Sequence, residues 1–504
     1  MQSTNFQPTQ TSNELQNWIA GLNRRAYALL IGAVVGIVGG IVGLLIAVLD
    51  PLFGVGVIFG VLVGLYIITN VHVALYGIIA VMALLPFGTL PFRLGFTPTF
   101  MDAAMGAFLV VYISGWMTGQ RRKLKFTPVH ALIGLYIGWL ILSFLLGLQY
   151  AMPTSTTARQ FAETLLSIAM TFILVDLLSD PKLLRRLVLV VMVAVGTQAL
   201  IAIVLWVMPD TTAERTLVRL ARFGYPNGGV IRYIEDNPNL SERAIGTWVD
   251  PNALGGFLVV SALMVAPQVF ARKPVLRSRW ISWGVLGTVV IALLLSFSRA
   301  SALAFGIGLF FISLFKGYRR FQTFIAFGVV IILLLPQTQE YVLRFLDAFT
   351  ASDLATQMRI GEYGDALELI QQYPISGVGF TGTPSIDLYT DVASMYLIMA
   401  NQIGLVGVGI FASVIIGTFV YGRRAWKYAR HNPDLRSIHL GYHAALIAGL
   451  INSAADLYFF RLDFHAAITL FWIVVALCLT SSRLAIETGE SASSALNVQS
   501  PLPP

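Results

Sequence analysis

Lysine and cysteine are nearly missing from this chain of 504 residues, which has six of the first and one of the second. All six lysines (Lys123, Lys125, Lys182, Lys273, Lys316 and Lys427) fall in alternate gaps of a ladder of apolar runs, and the intervening gaps have none. The lone Cys478 excludes an intramolecular disulfide and any thiolate cluster for zinc or iron–sulfur, and leaves the redox compartment open. Charge of either sign is scarce: 12% of residues are charged and 57% hydrophobic, against roughly 25% and 45–50% in soluble domains. That excludes a soluble globule. No repeat of 20 to 50 residues is evident, and the only low-complexity stretches are the polar tails 1–16 and 488–504, read as disordered.

Long apolar runs dominate what remains. Segments such as 28–49, 184–208, 252–270 and 464–481 approach the roughly 20 residues needed to cross a bilayer as helices. The expected fold is an all-α polytopic membrane protein of about twelve to fourteen transmembrane helices, with two long outer loops, the second partly helical. Candidate spans lie near 28–49, 52–69, 71–86, 100–118, 129–148, 160–179, 184–208, 252–270, 280–297, 300–316, 322–336, 392–420, 437–459 and 464–481. The first follows a polar tail without a small-residue cleavage site, so it reads as a retained helix. The net charge of +8 sits mostly in short clusters beside spans, which argues against nucleic acid as a partner and orients the chain by the excess of positive charge on cytoplasmic loops.

This orientation puts both termini in the cytoplasm and divides the chain into a polar tail at 1–27, transmembrane helices at 28–208, a long outer loop at 209–251, helices at 252–336, a second long outer loop at 337–391, helices at 392–481 and a tail at 482–504. Within the second loop, Leu354, Met358, Ala366, Leu367 and Ile370 predict an amphipathic surface helix stopped by Pro374. In the first span, Gly32, Gly36, Gly40 and Gly43 fit close helix packing.

The outer side has eleven arginines, no lysine and many carboxylates, so it carries no broad positive field. A planar guanidinium offers fixed bidentate geometry to phosphate oxygens and stays charged in apolar surroundings, which makes a phosphorylated ligand the specific reading; pairing with nearby acids is the bland one. Three arginines stand out. Arg299 sits where two apolar runs meet at membrane depth, a costly place for a charge. Arg243 precedes a Pro-Asn turn into a span, and Arg359 lies on the surface helix. All three can face one outer cavity.

These segments resemble a family. The stretches 243-RAIGTWVDPNALGGFL, 296-SFSRASALAFGIG and 359-RIGEYGDALELIQQYPISGVGF followed by 396-YLIMANQIGLVG are similar, in order, to motif blocks of the O-antigen ligase and O-antigen polymerase superfamily of bacterial envelope glycosyltransferases. The resemblance covers roughly residues 240–410. It implies an enzyme of the bacterial cytoplasmic membrane that moves a glycan from a polyprenyl-pyrophosphate donor, on the outer face, to a hydroxyl of a glycan, lipid or protein acceptor. Arg299 and Arg359 are then expected at the chemistry, with Arg243, Arg232, Asn252, Gly377, Gly379 and Tyr396 contacting substrate.

Where the family's ligases commonly carry His-Asn before the last glycine block, this chain has Ala393-Ser394, and none of its six histidines lies in either long outer loop. Asp391 is the candidate base; it can equally cap the helix that follows. Asp387 is a second choice, and Arg461, Asp463 and His465 read as an interface anchor. No metal site or cofactor is implied, because no DxD-type or histidine-rich spacing marks one. The alternatives are a transporter or flippase of lipid-linked glycan, which would favour internal repeats and midplane charges, and a membrane scaffold.

Overall fold

The computed structural model describes residues 70–90, 95–118, 124–334, 354–382 and 392–499, together with Gly64 and Tyr66. Two compact units divide the chain, Met1–Val73 and Ala74–Pro504, and the candidate site belongs to the second. The described helices are α1 Val71–Leu84, α2 Phe100–Met117, α3 Val129–Gly147, α4 Ser155–Leu177, α5 Pro181–Val207, α6 Asp210–Val218, α7 Pro251–Val265, α8 Arg279–Leu295, α9 Arg299–Ser313, α10 Arg320–Leu334, α11 Leu354–Gln372, α12 Met395–Ala429, α13 Arg436–Asn452 and α14 His465–Gln499. A two-stranded antiparallel ribbon, β1 Arg232–Tyr233 and β2 Glu242–Arg243, pairs Arg232 with Arg243.

An all-α membrane fold is therefore what the chain adopts. Seven of the described helices are long and apolar enough to cross a membrane, α7 when counted with the 3-10 turn that continues it to Phe270, and α1, α8, α9 and the first part of α10 are shorter apolar helices. The expected spans at 28–49 and most of 52–69 lie outside the described residues. Within the expected span at 437–459 the helix α13 stops at Asn452, and Ser453 to Phe464 form an irregular segment that carries Asp456.

α7 and α14 are the enclosed helices, with 94% and 100% of their apolar windows buried, whereas α2 has 22% and presents most of its surface outward. α7, α9 and α13 pack against one another, and small residues permit the closeness. A Cβ on Gly255 of α7 would lie 2.6 Å from Ser301 Oγ and 2.9 Å from Ser298 Cβ, so any side chain there pushes α9 away.

The segment 209–251 is ordered because it has a core of its own. Ala213 and Leu217 of α6 join Leu205, Val230 and Ile245 in one apolar cluster that folds the segment back onto the end of α5. The amphipathic helix expected near 354–372 forms as α11, but its buried face is shifted. Ala366 and Leu369 are buried while Met358 and Leu367 are exposed. The inward stripe is Arg359, Glu362, Tyr363, Ala366, Leu369 and Ile370, the i, i+3, i+4, i+7 spacing of one helix face. The hydrophobic pattern alone put Leu367 on it.

α12 is interrupted at Gly404, whose φ of 68° and ψ of 176° break the helical ladder. The break leaves carbonyls without intrahelical partners, and a preceding loop takes them. Val378 N donates to Asn401 O at 2.8 Å and Gly379 N to Gln402 O at 2.9 Å. From α3, Ser143 Oγ donates to Gln402 O at 2.7 Å and Trp139 Nε1 to Ile403 O at 2.9 Å. Gly377 is in the left-handed region at φ +65°, with the Asn401 and Gln402 backbone where a Cβ would stand. Gly377→Ala is expected to cost about 2–3 kcal/mol, from backbone strain plus the clash. A lowered melting temperature in detergent checks this, and an unchanged one would contradict the clasp.

Candidate active site

Three segments bring the outstanding arginines together. Arg243 ends the β-ribbon, Arg299 opens α9, and Arg359 lies on the inward stripe of α11, and all three line one cavity of about 240 Å³. The other lining residues include Asn252, Phe297, Ser298, Met358 and Asp456, with Tyr233, Glu235 and Asp236 contributed by the ribbon segment.

Local sequence explains each placement. The link from α8 to α9 is only Ser296 to Ser298, and it turns sharply because Phe297 takes a φ of +51°, unusual for a bulky residue. Ser298 caps α9, its side chain accepting from Ser301 N, so Arg299 sits at the first helical position and cannot drift. The N-terminal turn of α9 thus faces the cavity, where free backbone amides and the helix dipole favour an anion.

On the opposite wall, Asp250 caps α7 by accepting from Asn252 N and Ala253 N, each at 2.8 Å, and Pro251 follows at the position where its missing amide costs nothing. Asn252 Oδ1 then accepts from Arg243 Nη2 at 2.6 Å, and Arg243 Nε donates to Ser296 O at 2.9 Å. The guanidinium is held from α7 and from the α8–α9 link. Backbone strain collects here too: of the four non-glycine residues with positive φ among the described residues, Glu235, Asp236 and Phe297 line the cavity and Val249 precedes the α7 cap.

Asp456 is the group that sequence reasoning did not single out. It lies in the α13–α14 connection and is 5% exposed, and Arg359 Nη2 stands 4.0 Å from its Oδ1. Its Oδ2 has no hydrogen-bond partner among the described residues. Burial pushes its carboxyl up to about 7 against the pull of Arg359 and Arg243, with Asp250 adding to the rise. Nothing local in 453-SAADLYFF marks this aspartate, because its burial comes from α11 and α12 packing over it; Met395 N donates to Asp456 O at 3.0 Å.

The remaining sequence-derived candidates lie elsewhere. Arg232 is exposed and 4.0 Å from Asp236 on the ribbon, beside the cavity and not among its lining residues. Gly377 and Gly379 form the clasp on α12, and Tyr396 Oη donates to Leu450 O at 2.7 Å between α12 and α13; none of the three lines the cavity. Asp391 and Asp387 are outside the described residues. Of the proposed interface anchor, Arg461 pairs with Asp463 at 2.9 Å, whereas His465 turns away to Glu163 and Asp102.

Next to this polar cavity is an apolar one. A groove of about 500 Å³ runs between α8, α9 and α10, lined by residues such as Trp283, Leu286, Ala302, Phe305, Leu309 and Phe324. Ala302 lies one turn beyond Arg299 on the same helix, so polar and apolar cavities adjoin at the start of α9.

No curated protein matches the chain. The segment from α8 through the first half of α12, which carries Arg299, Arg359 and the glycine clasp, is a different matter: residues 284–412 match the family model described as O-antigen ligase, so this part of the chain is similar to the O-antigen ligases.

Proposed function

We propose that this chain transfers or polymerises a glycan from a polyprenyl-pyrophosphate donor on the outer face of the bacterial cytoplasmic membrane. The observation that carries the reading is the convergence of Arg243, Arg299 and Arg359 at the N-terminus of α9, directly beside an apolar groove. A pyrophosphate needs fixed cations and amides, and a polyprenyl tail needs an apolar track open to the bilayer. The lysine-free loops support an outward-facing cavity.

In this reading the acceptor hydroxyl oxygen attacks the anomeric carbon, and the bond from that carbon to the pyrophosphate oxygen breaks. The three guanidiniums and the α9 amides stabilise the charge that gathers on the leaving pyrophosphate. The hydroxyl proton passes to Asp456, whose buried carboxyl titrates near neutral pH and so combines basicity with availability. Asp456 takes the role for which Asp391 was the sequence candidate, and Asp391 remains the alternative base or cap of the α12 start.

The reading is tested with purified protein in nanodiscs given a polyprenyl-pyrophosphate oligosaccharide and a panel of glycan, lipid and peptide hydroxyl acceptors. The expected result is release of polyprenyl pyrophosphate together with a lengthened or transferred glycan. Movement of the intact lipid-linked glycan across the bilayer without bond cleavage would replace this reading with a transporter.

A further inference from the structure

A second cluster of ionisable side chains stands apart from the arginine cavity. Asp102 is at the start of α2, Glu163 is two turns into α4, and His465 opens α14; one ligand atom from each lies within 4.8 Å of the others. Arg159, one turn before Glu163, orders them. Its Nη1 is 3.0 Å from Asp102 Oδ2 and 2.8 Å from Glu163 Oε1, and Asp102 Oδ2 also accepts from Thr99 N at 2.7 Å. That engages one oxygen of each carboxylate. The other oxygens, Asp102 Oδ1 and Glu163 Oε2, face His465 Nδ1 at 4.0 and 3.4 Å.

The histidine is the informative member. Its side chain is 8% exposed, and neither ring nitrogen has a hydrogen-bond partner among the described residues. A buried imidazole left so costs free energy unless something occupies the space before it.

From this geometry we propose that Asp102 Oδ1, Glu163 Oε2 and His465 Nδ1 bind one divalent transition-metal ion, with zinc the best-suited class. A mixed nitrogen and carboxylate set suits zinc better than calcium or magnesium, which take oxygen ligands. Bonds of about 2.1 Å in a tetrahedron place ligand atoms about 3.4 Å apart, so the observed 3.4 and 4.0 Å separations close on an ion with sub-ångström side-chain movement. Arg159 and Thr99 then act as the outer partners that orient the carboxylates. The ion ties α2, α4 and α14 together. It also fixes the end of the connection that carries Asp456, since Phe464, just before His465, packs edge-on against Tyr458 with centroids 4.5 Å apart.

The test uses the full chain in nanodiscs, stripped with a chelator, dialysed against micromolar zinc and passed through gel filtration. About one zinc per chain should remain by elemental analysis, with the melting temperature raised by about 5 °C. Glu163→Gln and His465→Gln should each lower retained zinc at least tenfold, while Glu487→Gln, on an exposed stretch of α14, retains it. Because either site variant could fold poorly, the wild-type chain is also loaded with cobalt(II), whose visible absorption should show a nitrogen-ligated, low-coordinate centre. Absence of that band or equal retention by the site variants would mean an adventitious ion only, no retained zinc would mean no site, and each would overturn the proposal.

Discussion

Arg299→Ala should lower donor turnover by about 10²- to 10³-fold, the usual loss when one fixed donor to a developing oxyanion is removed. The effect is expected to be this large because a three-residue link and a capped helix start fix the backbone of Arg299, and Arg243, the neighbouring guanidinium, is itself tied to Asn252 and Ser296. Arg299→Lys should recover little. A lysine restores charge but not the planar pair of donors, and its more strongly hydrated ammonium is poorly suited to membrane depth. The measurement is polyprenyl-pyrophosphate release by protein that is shown to be membrane-inserted and monodisperse. Wild-type turnover in either variant would remove Arg299 from the chemistry.

Asp456→Asn should reduce turnover by about 10²- to 10⁴-fold, the range spanned by losing a general base. A base acts in its deprotonated form, so wild-type activity should rise as pH increases through about 7, where burial has pushed this carboxyl. The variant should lose that rise along with most of its rate. Stability runs the other way: a folded carboxyl above its unfolded value of 3.8 binds more protons when folded, so its stabilising contribution is full below that value and is lost as pH rises through about 7. Glu242 provides the control, because it also is raised to about 7, mainly by burial with Asp210 adding, yet does not line the cavity. Glu242→Gln should keep the wild-type pH profile, and transfer of the pH limb to Glu242 would identify it as the titrating group.

The sequence carried more of the arginine site than of anything around it. Arg299 and Arg243 were legible because each breaks a local rule, a guanidinium at a span boundary and one before a Pro-Asn turn, and Arg359 because it lies on the one helix that the second outer loop announces. Asp456 breaks none. It is an ordinary loop aspartate until α11 and α12 cover it, and burial by distant segments leaves no local trace. The zinc ligands were missed for a related reason, since one comes from each of three helices and no short spacing announces them. His465 was read with its neighbours Arg461 and Asp463, whereas the first turn of α14 directs it to α2 and α4. The glycine block was legible as a motif but not as a device. Gly377 and Gly379 read as substrate contacts until the break at Gly404 showed which carbonyls their loop completes.

The size of the arginine cavity has a further consequence. At about 240 Å³ it is below the roughly 300–1,000 Å³ of ordinary small-molecule sites. Such a volume accommodates a diphosphate and the first sugar ring attached to it, and little beyond. Read as a donor site, it inspects a linkage and leaves the rest of the saccharide in solvent, so the same machinery can serve repeat units of unlike composition. Discrimination among glycans would then fall on the lining residues other than the arginines, Tyr233, Glu235, Asp236 and Met358 among them, making those four positions the natural place to re-engineer substrate range without disturbing the bond-breaking centre.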